Sequence, residues 1–283
     1  IPSQPKVLDV NSDGLADTIY VGDLGGQVFR VDINNKNTTE SDGPTLVKRV
    51  RLLAQLGSSG VAAPAATGDH RRIYEPPTVA FFKDATLGSI FATVAVGTGN
   101  RSHPLSTSPL IKDRFATVFD FDVTRTDLLS IADTKLQDTI KYANLTAITG
   151  LEDTASTTSG AITYSTDATT GKKSPTKFGW YVDLISTGEK SLASGLIYLN
   201  KLTFTTYSPT ATATATGCTV SVGATNLYEM CMPYGKQCTK PSGVAVPRFI
   251  GNYTTGLTGT PELIIQEVTT GGTGVGTIKF ERL

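Results

Sequence analysis

Oxygen-bearing side chains recur at alternate positions near the start of the chain, in the segment DVNSDGLAD. The positions concerned are Asp9, Asn11, Asp13, Gly14, Leu15 and Asp17. A backbone that wraps a hard cation offers an oxygen from every second residue, and glycine at the sixth position lets it turn sharply. The three carboxylates give the segment a formal charge of minus three. The spacing therefore predicts a Ca²⁺ site in which Asp9, Asn11, Asp13 and Asp17 offer side-chain oxygens and Leu15 offers its backbone carbonyl.

The segment departs from a complete EF-hand loop at its twelfth position, where Tyr20 replaces the bidentate glutamate. Because Tyr20 belongs to an apolar run, we expect a loop that leads into a strand, and not a pair of helices. Extracellular calcium modules have dissociation constants of about 10⁻⁴ to 10⁻³ M, and magnesium fits less well because it retains its waters. The competing interpretation is an ordinary turn, since Asp, Asn and Gly also favour turns. Two roles stay open for a bound ion, which are stabilising one hairpin and switching an interaction.

No hydrolytic constellation accompanies this loop. The two histidines, His70 and His103, stand in no recognisable arrangement with a nucleophile or a metal ligand. The loop GTGNRSHPL is rich in glycine but lacks the Lys-Ser/Thr ending of a phosphate-binding loop. We expect His103 to bridge two neighbouring sheets, with Arg101 and Asp113 or Arg114 as hydrogen-bonding partners. The protein is accordingly predicted not to be an enzyme.

Two further groups of side chains have both a structural and a functional interpretation. Asp120 and Asp122 share one face of a strand, as a glycosidase pair would, but capping of the strand end is the preferred interpretation. Aromatic residues in β proteins mostly pack in the core, although an exposed ring of them binds sugars. Core packing is the expectation for Phe29, Phe81, Phe82, Phe115, Trp180 and Tyr181.

The three cysteines, Cys218, Cys231 and Cys238, lie within one segment that contains Gly and Pro. This arrangement fits one local disulfide in an oxidising compartment with one thiol left over, and the pairing stays open. A zinc site is disfavoured because three thiols at these spacings, with no histidine nearby, match no usual zinc pattern.

The amino-acid composition bears on which partners the protein binds and on where it is located. Lys plus Arg and Asp plus Glu number 25 each in 283 residues, so no net field attracts nucleic acid. Only 18% of residues are charged, whereas Thr, Ser and Gly are abundant, which favours export. No run of about 18 apolar residues is present, so no membrane-spanning segment is predicted. The chain begins with Ile1 and is expected to be a mature fragment of a larger protein.

Short apolar runs bounded by Gly, Asp, Asn or Pro predict strands. They are Thr18–Val21, Gln27–Ile33, Ile90–Val96, Ala116–Phe121, Trp180–Leu184, Leu196–Leu199 and Lys201–Tyr207. Hairpins recur along the chain, which indicates an all-β fold of radially repeated, four-stranded, propeller-like blades, of which this fragment is expected to hold a partial set. Residues 1–283 are treated as one such domain, with 124–177 as an insertion. The spacing of apolar residues over Thr126–Leu145 predicts a short helix within that insertion.

The amino-acid sequences of three segments also indicate a protein family. ADTIYVGDLGGQVFRVDI, then VAVGTGNRSHPL with DRF shortly after, then GWYVDLISTGEKSLASGLIYLNKLTFTTYSPT, resemble the C-terminal domain of the PilY/PilC family of type IV pilus biogenesis factors and tip adhesins. The resemblance extends from the first residues to at least Cys218 and is weakest across Thr124–Lys177. It implies a modified β-propeller with one EF-hand-like calcium site, whose ligands carry over to Asp9, Asn11, Asp13, Leu15 and Asp17.

The resemblance also implies an extracellular location, at the pilus tip or the outer-membrane surface of a bacterium. The implied partners are minor pilins and host-cell or abiotic surfaces, and the implied roles are pilus biogenesis, twitching motility, adhesion and virulence. In the family, calcium occupancy opposes pilus retraction. No Arg-Gly-Asp motif is present, so integrin binding is not implied. The alternative is a propeller enzyme of the quinoprotein dehydrogenase type, which would favour adjacent cysteines and more than the single Trp found here.

Overall fold

The computed structural model describes residues 2–35, 46–57, 71–107, 112–209, 222–239 and 242–262. Within these ranges the strands are β1 (Lys6–Leu8), β2 (Thr18–Gly22), β3 (Gln27–Ile33), β4 (Val47–Gln55), β5 (Thr78–Lys83), β6 (Ile90–Gly97), β7 (Arg114–Asp120), β8 (Ile140–Lys141), β9 (Thr146–Ala147), β10 (Tyr164–Thr166), β11 (Lys173–Pro175), β12 (Gly179–Asp183), β13 (Leu196–Tyr198), β14 (Lys201–Ser208), β15 (Ala224–Cys231) and β16 (Phe249–Thr255). Two single 3-10 turns, Asp133–Lys135 and Tyr142–Asn144, are the helical elements of the described residues. No helix among them is long and apolar enough to cross a membrane.

The strands form three larger sheets and one separate hairpin. The first sheet has the order β1-β2-β3-β4-β8, the second β5-β6-β7-β12-β9 and the third β13-β14-β15-β16, while β10 and β11 pair with each other. Each larger sheet contains four antiparallel strands, and β8 and β9 add to the first two sheets in parallel. No sheet closes on itself among the described residues. The predicted all-β architecture, a partial set of propeller-like blades, is confirmed.

All seven predicted strands are present. The observed β3 has the predicted bounds Gln27–Ile33, and the others differ from prediction by one or two residues at an end. The turn between β2 and β3 forms as its residues predict, because the Asp23 carboxylate accepts the backbone N–H groups of Gly25 and Gln27 at 2.9 and 2.8 Å. The tight link between β13 and β14 uses Leu199 and Asn200, both with positive φ.

The prediction of a helix over Thr126–Leu145 is wrong. Its buried apolar residues, such as Leu136 and Ile140, do face the core, but the backbone contains only the two 3-10 turns and β8. Arg49 donates to the carbonyls of residues 128 and 131 at 2.8 and 2.9 Å, and Arg51 donates to those of residues 133 and 137. The carbonyls of residues 128, 131 and 137 therefore bind arginine side chains of β4, and the carbonyl of residue 133 accepts both Arg51 and the Leu136 N–H of its 3-10 turn.

Two apolar cores hold the three sheets together. Tyr20 and Val28 of the first sheet pack with Val94 and Val118 of the second. The opposite side of the second sheet packs against the third through aromatic residues, and the rings of Phe115 and Phe204 stack with centroids 3.7 Å apart. Because the second sheet is covered on both faces, β6 is buried along nearly its whole length.

A buried ionic network joins the first sheet to the second. The guanidinium of Arg30 donates to both carboxylate oxygens of Asp120 at 2.7 and 2.8 Å and to Asp32 at 2.7 Å. The hydroxyl of Tyr20 donates to Asp120 at 2.9 Å. All four side chains are almost inaccessible to solvent. Burial lowers the pKa of Arg30, but the adjacent Asp120 and Asp32 carboxylates outweigh burial, so the net pKa is raised above its ordinary value.

Cys231 and Cys238 form the local disulfide that the cysteine spacing left open, with Cα atoms 5.2 Å apart. The disulfide joins the end of β15 to the segment that follows it. The predicted unpaired thiol is then Cys218, which lies outside the described residues, as does His70.

Candidate metal site

The loop with alternating oxygens leads into strand β2, as the sequence predicts, and it is preceded by the short strand β1, which the sequence did not predict. These two strands pair antiparallel, with Leu8 opposite Thr18, so the loop closes at the end of a hairpin. The backbone N–H of Asp17 donates to the Leu8 carbonyl at 2.9 Å, and the Ile33 N–H donates to the Asp17 carbonyl at 2.8 Å. Asp17 is thus fixed by its backbone to both β1 and the end of β3.

Within the loop, side-chain oxygens accept backbone N–H groups further along the chain. The Asp9 carboxylate accepts from Asp13 and Gly14 at 3.2 and 2.7 Å. Asn11 Oδ1 accepts from the Asp13 N–H at 2.9 Å, and Asp13 Oδ1 accepts from the Leu15 N–H at 3.0 Å. These bonds curve the backbone around its own side-chain oxygens, which is the path that a cation-binding loop requires.

Glycine at the sixth position of the loop has the conformation for which it was singled out. Gly14 has φ of 87°, and an added Cβ would meet no atom within 4 Å. The requirement at this position is therefore conformational and not one of space, because residues with a Cβ rarely adopt positive φ.

Asp17 is the most heavily bonded carboxylate of the loop. Its Oδ2 accepts the backbone N–H groups of Val10 and Asn11 at 2.8 and 3.2 Å. Its Oδ1 accepts from the side-chain amides of Asn11 at 3.4 Å and Asn35 at 3.1 Å. The sequence predicted Asp17 but not Asn35, which lies after β3 and is 18 residues distant in the chain. No local sequence signal could have identified Asn35. The register between β2 and β3 determines which residue lies beside Asp17.

The residues present fit a hard divalent cation in chemistry. The donors are oxygens, the side chains of Asp9, Asn11 and Asp13 are exposed, and neither Asp9 nor Asp17 forms an ion pair within the described residues. Over the same part of the chain, no three His, Cys, Asp or Glu side chains already converge closely enough to hold a metal. Binding therefore requires the side-chain oxygens to turn from the loop's N–H groups towards the ion.

Replacing Gly14 by alanine is expected to weaken calcium binding and to lower the free energy of unfolding by roughly 1–2 kcal/mol, because the new side chain disfavours positive φ. The matched control is Gly88→Ala, since Gly88 has φ of 70° and equally open surroundings but lies outside this loop. Urea unfolding and calcium calorimetry measure the two effects. Equal calcium affinities for the two variants would contradict this assignment of Gly14.

The other predicted groups have structural roles. Asp120 accepts the backbone N–H groups of Asp122 and Val123 at 3.0 and 3.2 Å, so the preferred capping interpretation agrees with the structure. The predicted bridge through His103 is not formed: His103 is exposed, and Arg101 pairs instead with Glu75 at 2.6 Å.

The aromatic residues largely follow their predicted role. Trp180 and Phe115 are buried at 0% and 1% exposure, and Phe82 packs against the core while partly exposed. Phe29 and Tyr181 are partly buried. Phe81 is the exception, at 40% exposure on the edge strand β5.

Comparisons with known proteins address the family. Residues 2–103, which contain the candidate site and the strands up to β6, match the family model described as the PilY1 beta-propeller domain. This part of the chain is therefore similar to the PilY1 propeller family. The solved C-terminal domain of Pseudomonas aeruginosa PilY1 is similar in fold to this chain, with a TM-score of 0.50 and 20% sequence identity.

The structural match covers 83% of this chain and 47% of the solved one. This chain therefore spans about half the length of the structure that it resembles. A search of curated proteins found no match. The family model bears out the resemblance inferred from the sequence segments over residues 2–103, and the solved structure bears it out for the fold.

Proposed function

We propose that this protein is a calcium-binding component of a bacterial type IV pilus, in which the loop Asp9–Asp17 holds one Ca²⁺. The observation that supports the metal assignment is the loop geometry: oxygens at alternate positions, positive φ at Gly14, and Asp17 fixed to two strands. The match of residues 2–103 to the PilY1 family supports the link to pili. The proposed role is non-enzymatic.

When bound, Ca²⁺ supplies positive charge that draws the loop carboxylates together. Asp9, Asn11 and Asp13 offer oxygens that now accept loop N–H groups, and the Leu15 carbonyl adds one from the backbone. Asp17 closes the loop, because its backbone is already tied to Leu8 and Ile33. The proposed site therefore joins β1, β2 and the end of β3 at one corner of the first sheet.

The wider proposal follows from the family. The protein acts outside the cell, at the pilus tip or the outer-membrane surface, with minor pilins as partners and a host-cell or abiotic surface as the target of adhesion. Calcium occupancy then opposes pilus retraction and so adjusts twitching motility. A site at the margin of a sheet suits this role, because a bound ion stabilises the loop without entering either apolar core.

Replacing Asp17 by alanine is expected to weaken calcium binding by at least about tenfold, because the carboxylate and the donors it organises are both lost. The matched control is Asp167→Ala: Asp167 is exposed and also accepts two turn N–H groups, at 2.9 and 2.7 Å, but in the β10–β11 hairpin. Calorimetric titration after chelation measures the affinity. For the wild type we expect a dissociation constant of about 10⁻⁴ to 10⁻³ M.

Thermal melting with and without calcium separates the two roles of the ion. A ligand that binds only the folded state adds RT ln(1 + [L]/Kd), about 2.7 kcal/mol at a hundredfold excess over Kd. If the Asp17→Ala variant and the wild type have the same Tm in chelator, the result favours a role for calcium in switching an interaction. Motility assays would then test that role. A wild-type chain that binds no calcium would refute the metal assignment.

A further inference from the structure

Asn35 contacts the candidate calcium loop from outside it. Its side-chain amide donates to Asp17 Oδ1 at 3.1 Å and to the Ala16 carbonyl at 3.0 Å. The residue is half-buried and lies two positions after the end of β3. One NH₂ group thus makes two hydrogen bonds to consecutive residues of the loop, which uses both of its donors.

We infer that Asn35 is a positioning residue for calcium binding, an inference that rests on the proposed function of the loop. Among the described residues, Asn35 is the donor that reaches the Asp17 carboxylate from beyond the loop itself. A partner that donates to a ligating carboxylate fixes its orientation, and the loss of such a partner typically costs 10–100-fold in metal affinity. Asn35 would therefore control the affinity without touching the ion.

This role is separable from support of the fold. The backbone of Asp17 is held by Leu8 and by Ile33, and neither bond involves the Asn35 side chain. Removing that side chain leaves these two backbone bonds and the donors from Val10 and Asn11 in place, and it removes only the hydrogen bonds to Asp17 Oδ1 and to the Ala16 carbonyl. The expected consequence is a change in calcium affinity with little change in the stability of the calcium-free protein.

The neighbouring Asn34 provides a matched control. It has the same side chain and is also half-buried, and its backbone N–H donates to the Leu46 carbonyl at 2.8 Å. Its side chain makes no hydrogen bond within the described part of the chain. Alanine at position 34 therefore removes an amide of the same kind without removing a contact to the loop.

The experiment compares the wild type, Asn35→Ala and Asn34→Ala in the full chain. Calcium calorimetry gives the affinity, and thermal melting is recorded in chelator and at one fixed, subsaturating calcium concentration. We expect Asn35→Ala to raise the dissociation constant about tenfold. At a fixed, subsaturating calcium concentration its calcium-dependent gain in Tm should shrink, while Asn34→Ala and the wild type should agree in both measurements.

Two results would overturn the inference while the wild type binds calcium. One is a dissociation constant for Asn35→Ala that equals those of the wild type and Asn34→Ala. The other is a lower Tm in chelator with unchanged affinity, because that pattern describes a purely structural residue. A wild type that binds no calcium refutes the proposed function, and the inference about Asn35 falls with it.

Discussion

An Asp120→Ala variant is expected to lose about 3–5 kcal/mol of the free energy of unfolding, the cost of removing one partner of a buried ion pair. The guanidinium of Arg30 would keep Asp32 but lose a carboxylate that it contacts at 2.7 and 2.8 Å. The Tyr20 hydroxyl would lose its acceptor inside the core. The capped N–H groups of Asp122 and Val123 would lose theirs as well.

The loss of stability in Asp120→Ala should be large because the ionic network joins the first and second sheets and is buried from solvent. Arg30 and Asp120 are 1% and 0% exposed. Burial raises the pKa of Tyr20, and the adjacent Asp120 carboxylate raises it further, so the phenol stays protonated and able to donate. A domain of this size is stable by about 5–15 kcal/mol, so this one substitution would remove a large share.

Asp127→Ala is the control for Asp120→Ala, because Asp127 pairs with Arg125 at 2.9 Å on the surface. Surface ion pairs contribute little to stability, so no measurable change in the urea midpoint is expected. Equal midpoints for the two variants would mean that the buried network does not clamp the first sheet to the second. A fall for Asp120→Ala alone would assign the clamp to Asp120.

The strands and the backbone geometry of the candidate metal loop were predictable because their signals are local. In β3 the run QVFRVDI alternates, and Asp23, Gly25 and Gly26 mark the turn before it. The loop positions follow from spacing along eight or nine residues. Such patterns depend on the backbone of the same segment, so no knowledge of distant partners is needed.

The contacts between distant segments could not be predicted in the same way. Alternation in β3 does not reveal that Arg30 and Asp32 face inward, because Asp120, the second carboxylate that Arg30 binds, is 90 residues away in the chain. The apolar spacing over Thr126–Leu145 resembles that of a helix, but arginines from β4 bind the carbonyls of this segment. The contact between Asn35 and Asp17 could not be predicted for the same reason, since only the strand register brings the two residues together.

These long-range contacts also connect the candidate site to the rest of the molecule. The candidate calcium loop leads directly into β2, whose Tyr20 reaches Asp120 of the second sheet. The end of β3 donates to Asp17, and Arg30 of the same strand reaches Asp120. The loop is therefore attached to the two strands that anchor the first sheet to the second, which places any effect of the ion at the margin of this interface.

The interface between the second and third sheets depends on Trp180, and a Trp180→Ala variant is expected to lose about 3–5 kcal/mol of the free energy of unfolding. The indole is fully buried, and its Nε1–H donates to the Pro233 carbonyl at 2.8 Å. A Cβ added at Gly160 would lie 2.4 Å from the Trp180 side chain, so this segment packs directly on it. Alanine would leave a cavity beneath the residue 160 segment and leave that carbonyl without its donor.

Trp180→Phe distinguishes the two contributions, because phenylalanine keeps most of the ring volume but cannot donate to Pro233. We expect its loss to be smaller than that of Trp180→Ala, with the difference reflecting the cavity. Because the chain has one Trp, urea unfolding of both variants must be followed by far-UV circular dichroism instead of tryptophan fluorescence. Equal losses for the two variants would show that the hydrogen bond, and not packing against the indole, holds the segment. A loss below about 1 kcal/mol for Trp180→Ala would mean that the neighbouring loops collapse into the cavity, since relaxation of that kind is what lowers the cost of a large-to-small change.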